Sequence, residues 1–299
     1  MTISKSFQDL HDELYSQGIK DVGFLVYTNP KVKGINPFST KLELTEKIAV
    51  RSEINDNFWY FLRDIVKCDV VGNDEPEHFR INRASLGSLW LANKRYNVYS
   101  VLPWGSSNVT SQAIWCLWKL LTEPNYYCKV LDESEDESKT FIERVKSINK
   151  NLPLFMKLEE DEIDKKVKIV TNPKSLPQAV VFGRGLTIDV YIINLENIKY
   201  IDVILKNIVP ILACGKSKIY ATSEIGEKGS YGKKVGDNIS SRSIKWVDEM
   251  LDIDMKNKCQ IVYNSVPMSY IKSYEEIEEI KELFGYDKEL IKRRIYMQR

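Results

Sequence analysis

The ten residues "PWGSSNVTSQ", Pro103 to Gln112, join an apolar run, "VYSVL", to a helical pattern, "SQAIWCLWKLL". A turn in that position of an α/β protein is where a phosphate would be cradled. Such a loop needs glycines that let the backbone approach the oxygens, a lysine for the β and γ charges, and a Ser or Thr for magnesium. Here Gly105, Ser106 and Ser107 supply the small residues, and the helix that follows offers its amino end. The turn has no lysine, and Val109 stands where a metal-binding hydroxyl would be wanted. On composition alone it reads as a serine-rich N-cap loop before an amphipathic helix, ahead of a phosphate site.

Other reactive side chains are sparse. The two histidines are His11, in a polar helical pattern, and His78, so a histidine-rich metal site is not expected. Five scattered cysteines (Cys68, Cys116, Cys128, Cys214, Cys259) lack CxxC spacing and read as buried thiols in a reducing compartment.

The elements that would position the loop follow from periodicity. The first 50 residues read as a helix, a short strand "VGFLVYT" and the loop "NPKVKGINPFS". In "NDNFWYFLRDIV", Asn55 or Asp56 could cap a helix with Phe58, Phe61, Leu62 and Ile65 on one face, and "INRASLGSLWLANK" repeats the pattern with Leu86, Leu89 and Trp90. From Val98 onward, strand-sized runs "VYSVL", "YYCKVL", "VKIV", "AVVF", "DVYIINL", "KIYAT" and "QIVYNSV" alternate with helical segments such as "ESKTFIERVKSI". That alternation predicts an α/β fold with a mostly parallel sheet flanked by helices. Trp115 and Trp118 are helix-spaced core aromatics, "DESEDESK" caps a helix with an acidic first turn, and "LEEDEIDKK" is a solvated face or a hairpin connection. Two short helices separated by Gly285 end the chain, the first capped by Ser273.

At 299 residues, with 43% hydrophobic positions, the chain can bury a full core. Lys and Arg total 43 against 42 Asp and Glu, so no global charge advertises DNA or an anionic membrane. Neither a signal-peptide core nor a long apolar run is present, and a soluble, unsecreted, intracellular protein is expected.

In order along the chain, the segments from about residue 50 onward resemble the ATPase domain of the large terminase subunit of tailed bacteriophages, the motor that packages DNA. "NFWYFLRDIV" is similar to the segment that precedes the family's ATPase core and packs near the adenine, and "FRINRASLGSLWLANKRYNVYSVLP" continues in register. "TSQAIWCLWKLLTEPNYYCKVLDESEDESKTFIERVKSINKNLP" resembles the helix, strand and helix after the phosphate loop. "VFGRGLTIDVYIINLENI" resembles the strand bearing the acidic catalytic pair, "KIYATSEIGEKGSYGK" the coupling motif, and "FGYDKELIKRRIYM" the end of the domain. The resemblance implies a P-loop NTPase-like fold over residues 51–299, closing in short helices over 273–299, behind an N-terminal extension of residues 1–50. The family's RNase H-like nuclease domain is expected to be missing.

The same resemblance places the family's Arg-Gln-x-Gly-Lys-Thr loop on Trp104, Gly105, Ser106, Ser107, Asn108 and Val109, and its Asp-Glu pair on Asn194 and Leu195. Only the coupling motif keeps its chemistry, in Thr222 and Ser223. Phosphoryl transfer consists almost entirely of charge stabilisation and positioning. Asn108 brings no cation, Val109 no oxygen, Asn194 no carboxylate, and Leu195 cannot polarise a water. At about 3 kcal/mol each, about a hundredfold in rate, four such losses leave no useful turnover.

Glu196 could substitute for the lost carboxylate if the strand continued to it, though it reads better as the strand's exit into a helix at "ENIKYI". Lys94 and Arg95 read as a solvated turn, Arg184 as either a loop anchor or a surface ion pair, and the basic end "KRRIYMQR" as a solvated helix end that could also touch DNA or a partner. The expectation is a vestigial nucleotide pocket with no catalytic residue, no metal and no cofactor, in a phage protein of the host cytoplasm or virion. Its partners would be terminase, portal or other phage proteins, with DNA weakly supported and no membrane. The alternative is an active, divergent packaging ATPase that uses ATP and magnesium, its nuclease on a separate chain.

Overall fold

A computed structural model describes residues 5–18, 23–70, 72–170, 187–198, 217–242, 244–245 and 261–298. The run "AVVF", Arg184, Cys214 and Cys259 lie outside them. The chain forms two compact units, the first of residues 1–81, 113–124 and 142–165, the second of residues 82–112, 125–141 and 166–299.

In chain order the helices are α1 (Lys5–Ser16), α2 (Leu44–Asp56), α3 (Phe58–Tyr60), α4 (Arg83–Asn93), α5 (Asn108–Thr122), α6 (Glu135–Lys150), α7 (Glu160–Lys166), α8 (Tyr231–Arg242), α9 (Tyr274–Leu283) and α10 (Lys288–Arg294). The strands are β1 (Lys67–Cys68), β2 (Glu77–His78), β3 (Asn97–Val101), β4 (Tyr126–Leu131), β5 (Val167–Ile169), β6 (Thr187–Ile192), β7 (Ile219–Ser223), β8 (Ile244–Lys245) and β9 (Ile261–Ser265).

The first unit is built on aromatic packing. Phe24 lies against Phe7 and Trp59, and Phe58 meets Trp115 and Trp118 edge-on at 5.0 and 5.3 Å between ring centroids. Trp115 is thus a core aromatic, and Trp118 a half-buried one that donates its indole N–H to the Ile54 carbonyl. The expected strand at 22–28 does not form over its described residues. Its backbone is satisfied by side chains instead: Phe24 O accepts from Arg63, Val26 O from Asn57, and Thr28 N donates to the buried Glu53. The cap of the next helix is Asn57, not Asn55 or Asp56, because α2 runs on through both. After α3 the coil widens into a π-helical turn (Phe61–Ile65) that buries the Arg63–Asp64 ion pair.

Among the described residues the second unit holds a seven-stranded sheet of order β5-β4-β6-β7-β3-β9-β8, every pair parallel. Parallel neighbours need helical crossovers, which the alternating sequence provides. Strands β3 and β7 are buried at every position, as a sheet covered on both faces requires. On one face Tyr99, Val101, Val190, Ile192, Ala221 and Tyr263 form a core, with Val235 of α8 packed on it. The opposite face carries Ser100 and Asn264, which bond to Ser88 of α4. The fold is therefore α/β with a parallel sheet flanked by helices, as expected, and β3 sits between β7 and β9 with the serine-rich loop at its carboxyl end.

Arg95 corrects the expectation of a solvated turn. It occupies the left-handed region at φ 62° and donates to Asp189 at 2.9 Å and to the Tyr220 hydroxyl at 3.2 Å. Burial opposes its charge, but Tyr220 and Asp189 outweigh that and hold the guanidinium above its ordinary pKa. The acidic "LEEDEIDKK" is a solvated face as expected, in the form of a helix, α7, that buries only Ile163. The final two helices form as expected, α9 capped by Ser273, whose hydroxyl accepts from Glu276 N. The fully buried Asp189 gives a direct test. Arg95→Met should cost about 3 kcal/mol in urea denaturation by leaving a buried carboxylate uncompensated, and adding Asp189→Asn should recover part of the loss.

Candidate functional site

Two strand exits bring the loop of residues 103–108 into place. Leu102, just past β3, packs with Ala84, Val266 and Ile271, so the chain leaving β9 lies beside the chain leaving β3. Leu102 N also donates to Ser223 O at 3.2 Å, tying the same exit to β7. The connection from β3 runs past β7 and β6 to β4, whereas β9, its other neighbour, is reached from the far edge. Such a reversal at the carboxyl ends of parallel strands opens the crevice where α/β proteins take ligands.

Within the loop, Ser106 N donates to Pro103 O, and Asn82 of the α4 cap reaches Ser106 O at 3.4 Å. Gly105, at φ +81°, and Ser107, at φ 59°, both adopt the left-handed region, which glycine tolerates and serine does not favour. Trp104 is 70% exposed, Ser106 is buried, and Ser107, Asn108 and Val109 are half-buried at the start of α5. The Asn108 and Gln112 side-chain oxygens, one turn apart, have no hydrogen-bond partner among the described residues.

A basic side chain from far along the sequence does approach this loop. Lys272 follows Ile271, and its Cε lies 3.8 Å from where a β-carbon would stand at Gly105. Its ammonium pairs with Glu276 at 2.9 Å. No motif marks Lys272 in the sequence; it is brought there by the packing of Leu102, Val266 and Ile271.

The strand bearing Asn194 ends earlier than its apolar run suggests. β6 stops at Ile192, Asn194 turns into the left-handed region at φ 51°, and a 3-10 turn (Leu195–Asn197) follows, while residues 199–201 of the expected helix "ENIKYI" lie outside the described residues. The strand geometry that would have set Glu196 beside Asn194 is therefore absent. Glu196, 2% exposed, accepts from the Tyr99 hydroxyl at 2.5 Å and from Gly226 N at 2.7 Å, while its own N–H donates to Ser223 Oγ. Gly232 and Gly236 make room for it: a β-carbon at Gly232 would stand 1.7 Å from the Glu196 carbonyl oxygen, and one at Gly236 2.2 Å from the carboxylate. Leu195 is buried in the core on the same side.

A carboxylate that the sequence did not single out lies next to Asn194. Asp132, directly after β4, accepts from Asn194 Nδ2 at 3.2 Å and from Glu133 N at 2.6 Å. Burial pushes its pKa up to about 6, against the two hydrogen bonds that favour the charged form. Strand β7 ends with Thr222, whose hydroxyl is buried without a partner among the described residues, and Ser223, whose hydroxyl donates to Glu224 O.

At the basic C-terminal end Lys292 is exposed, as a solvated helix end would have it, but two neighbours are tied down. Arg293 donates to the Gly226 carbonyl, and Arg294 pairs with Glu224, so α10 grips the connection between β7 and α8. Met297 belongs to the sheet core.

Chemically, the strand exits offer amide and hydroxyl groups, Lys272 beside Gly105 at the exit of β3 and, with β7 and β6 between, the carboxylate of Asp132 at the exit of β4. Among the described residues no group of three His, Cys, Asp or Glu side chains could hold a metal ion, and no helix is long and apolar enough to cross a membrane.

Two changes test this geometry. Asp132 binds its proton more tightly folded than unfolded, so its ionisation lowers stability as pH rises from 3.8 to about 6. Asp132→Asn should therefore melt higher than the parent at pH 7 and equally at pH 3.5, as calorimetry would show. Gly232→Ala forces backbone apart and should cost about 3 kcal/mol, the upper end for overpacking, seen as a lowered melting temperature.

No protein-family model matches the chain. No curated protein matches it either. Among solved structures it is similar to the ATPase domain of the large terminase of Thermus phage P74-26. An arginine-to-alanine mutant of that domain aligns at 12% identity and TM-score 0.45, over 69% of this chain and 91% of the other. The unmutated domain aligns at 11% identity and TM-score 0.43, over 67% and 87%.

Proposed function

We propose that this protein is a catalytically inactive homologue of a phage DNA-packaging terminase ATPase, acting as a structural or interaction protein in packaging or in the virion. The sequence resemblance supplies the packaging context, with residues 1–50 as an extension and 51–299 as the ATPase-fold domain. One observation carries the inactivity: Glu196, the nearest carboxylate to the degenerate pair Asn194 and Leu195 along the chain, is closed into a cradle of Tyr99, Gly226 and two glycines. With Asn108 and Val109 in the loop, and Asp132 as the single carboxylate that Asn194 meets, the loop lysine, the magnesium hydroxyl and the acidic pair of phosphoryl transfer are all replaced. The working partners are then proteins, namely terminase, portal or other phage proteins. The near-zero net charge gives little support to DNA, whose non-specific binding rests on many phosphate contacts. No cofactor belongs to this reading.

Lys272 beside Gly105 favours a second reading, an active but divergent packaging ATPase using ATP and magnesium, its nuclease on a separate chain. Phosphate release from Mg·ATP separates the two. The proposal expects a rate no higher than buffer, unchanged in Asn194→Ala; a rate above buffer that Asn194→Ala or Lys272→Ala abolishes would establish the active motor instead.

A further inference from the structure

We propose that the corner between α9 and α10 is a self-complementary surface through which two copies of this chain pair about a two-fold axis. The inference goes beyond the proposed function and uses none of the residues at the strand exits.

The inner side of the two helices is fully employed: Ile277, Ile280 and Phe284 pack with Met268, Ile291 and Ile295. The outer side is not. Glu276 pairs with Lys272 and Glu278 with Lys281, each within a helical turn. Glu275, Glu279 and Glu282 fall on the opposite stripe of α9, exposed and with no cation as partner among the described residues. Beyond the corner, Lys288 and Lys292 lie one turn apart on α10, exposed and with no carboxylate as partner among the described residues, and Glu289 stands beside them in the first turn.

Between the two charged stripes stand Leu283, 84% exposed, and Tyr286, 57% exposed. Scattered apolar residues are ordinary on a protein surface. These two share one tight turn, in which Gly285 N donates to Glu282 O at 2.8 Å and Tyr286 N to Lys281 O at 3.0 Å. Tyr286 is also held in the left-handed region at φ 55°, directly after Gly285 at φ 58°. A bulky side chain is disfavoured there, so the turn keeps an exposed ring where glycine would suit the backbone better.

The order acid, apolar, basic selects the kind of partner. A two-fold axis at Leu283 and Tyr286 lays the glutamate stripe of each copy along the lysines of the other and sets the apolar corner on its own image. That is the pattern of an isologous interface, in which every contact is made twice. A partner of one charge sign would match one helix and be repelled by the other. The corner supplies apolar area to withdraw from water, and the flanking charges fix the register.

Sedimentation equilibrium of the full chain over a dilution series, at low and at high salt, tests this. A reversible dimer is expected, weaker at high salt. Tyr286→Gly, which removes the ring and relieves the backbone, should weaken it about tenfold or more, without lowering the melting temperature of the dilute monomer. Glu279→Lys with Glu282→Lys, and separately Lys288→Glu with Lys292→Glu, should each leave a monomer. An equimolar mixture of those two variants should pair again, because each reversed charge then meets its opposite. A parent that stays monomeric at every concentration and salt would overturn the proposal and leave the corner to a different protein. So would a dimer that Tyr286→Gly and both charge reversals leave unchanged, or charge-reversed variants that stay monomeric when mixed. None of these outcomes bears on ATP turnover, which tests the inactivity reading separately.

Discussion

The buried carboxylate of Glu196 is the constraint around which the second unit is arranged. It joins the loop-bearing strand, through Tyr99, to the connection after β7, through Gly226, and its own N–H is held by Ser223. A charge taken out of water must be met by hydrogen-bond donors, and two are supplied here, one from β3 and one from the connection after β7. Gly232 of α8 rests on the backbone of this turn, and Gly236, one helical turn on, rests on the carboxylate itself. Arg293 then closes the far side by accepting the position of Gly226 as its anchor, donating to that residue's carbonyl. The carboxylate that comes closest to replacing a catalytic one is thereby committed to holding the fold.

The crevice is correspondingly weak in charge. Asp132 is buried enough to lose its proton only near pH 6 and is turned toward Asn194. Lys272 is tethered to Glu276. Neither arrangement resembles the dense set of cation, metal and acid that phosphoryl transfer demands.

Much of the second unit could be read from the sequence because parallel strands buried on both faces are continuous apolar runs. "VYSVL", "YYCKVL" and "QIVYNSV" became β3, β4 and β9 with ends within a residue or two. The run "VGFLVYT" misled for the same reason: it is apolar and strand-sized, but the partners of its backbone are Arg63, Asn57 and Glu53, which no local pattern reveals. Arg95, Lys272 and Asp132 owe their roles to contacts across the sheet or between strand exits, and only folding brings those partners together. Gly232 and Gly236 in "SYGKKVGDN" did carry a legible signal, since two glycines four apart in a helical segment imply a close backbone approach.

Glu196→Gln separates a structural carboxylate from a chemical one most directly, because the amide keeps the shape and sets an N–H group against one of the two donors, Tyr99 or Gly226. Urea denaturation is predicted to show a loss of about 2 kcal/mol. Undiminished stability, together with the disappearance of a nucleotide-dependent activity of the parent protein, would contradict the account.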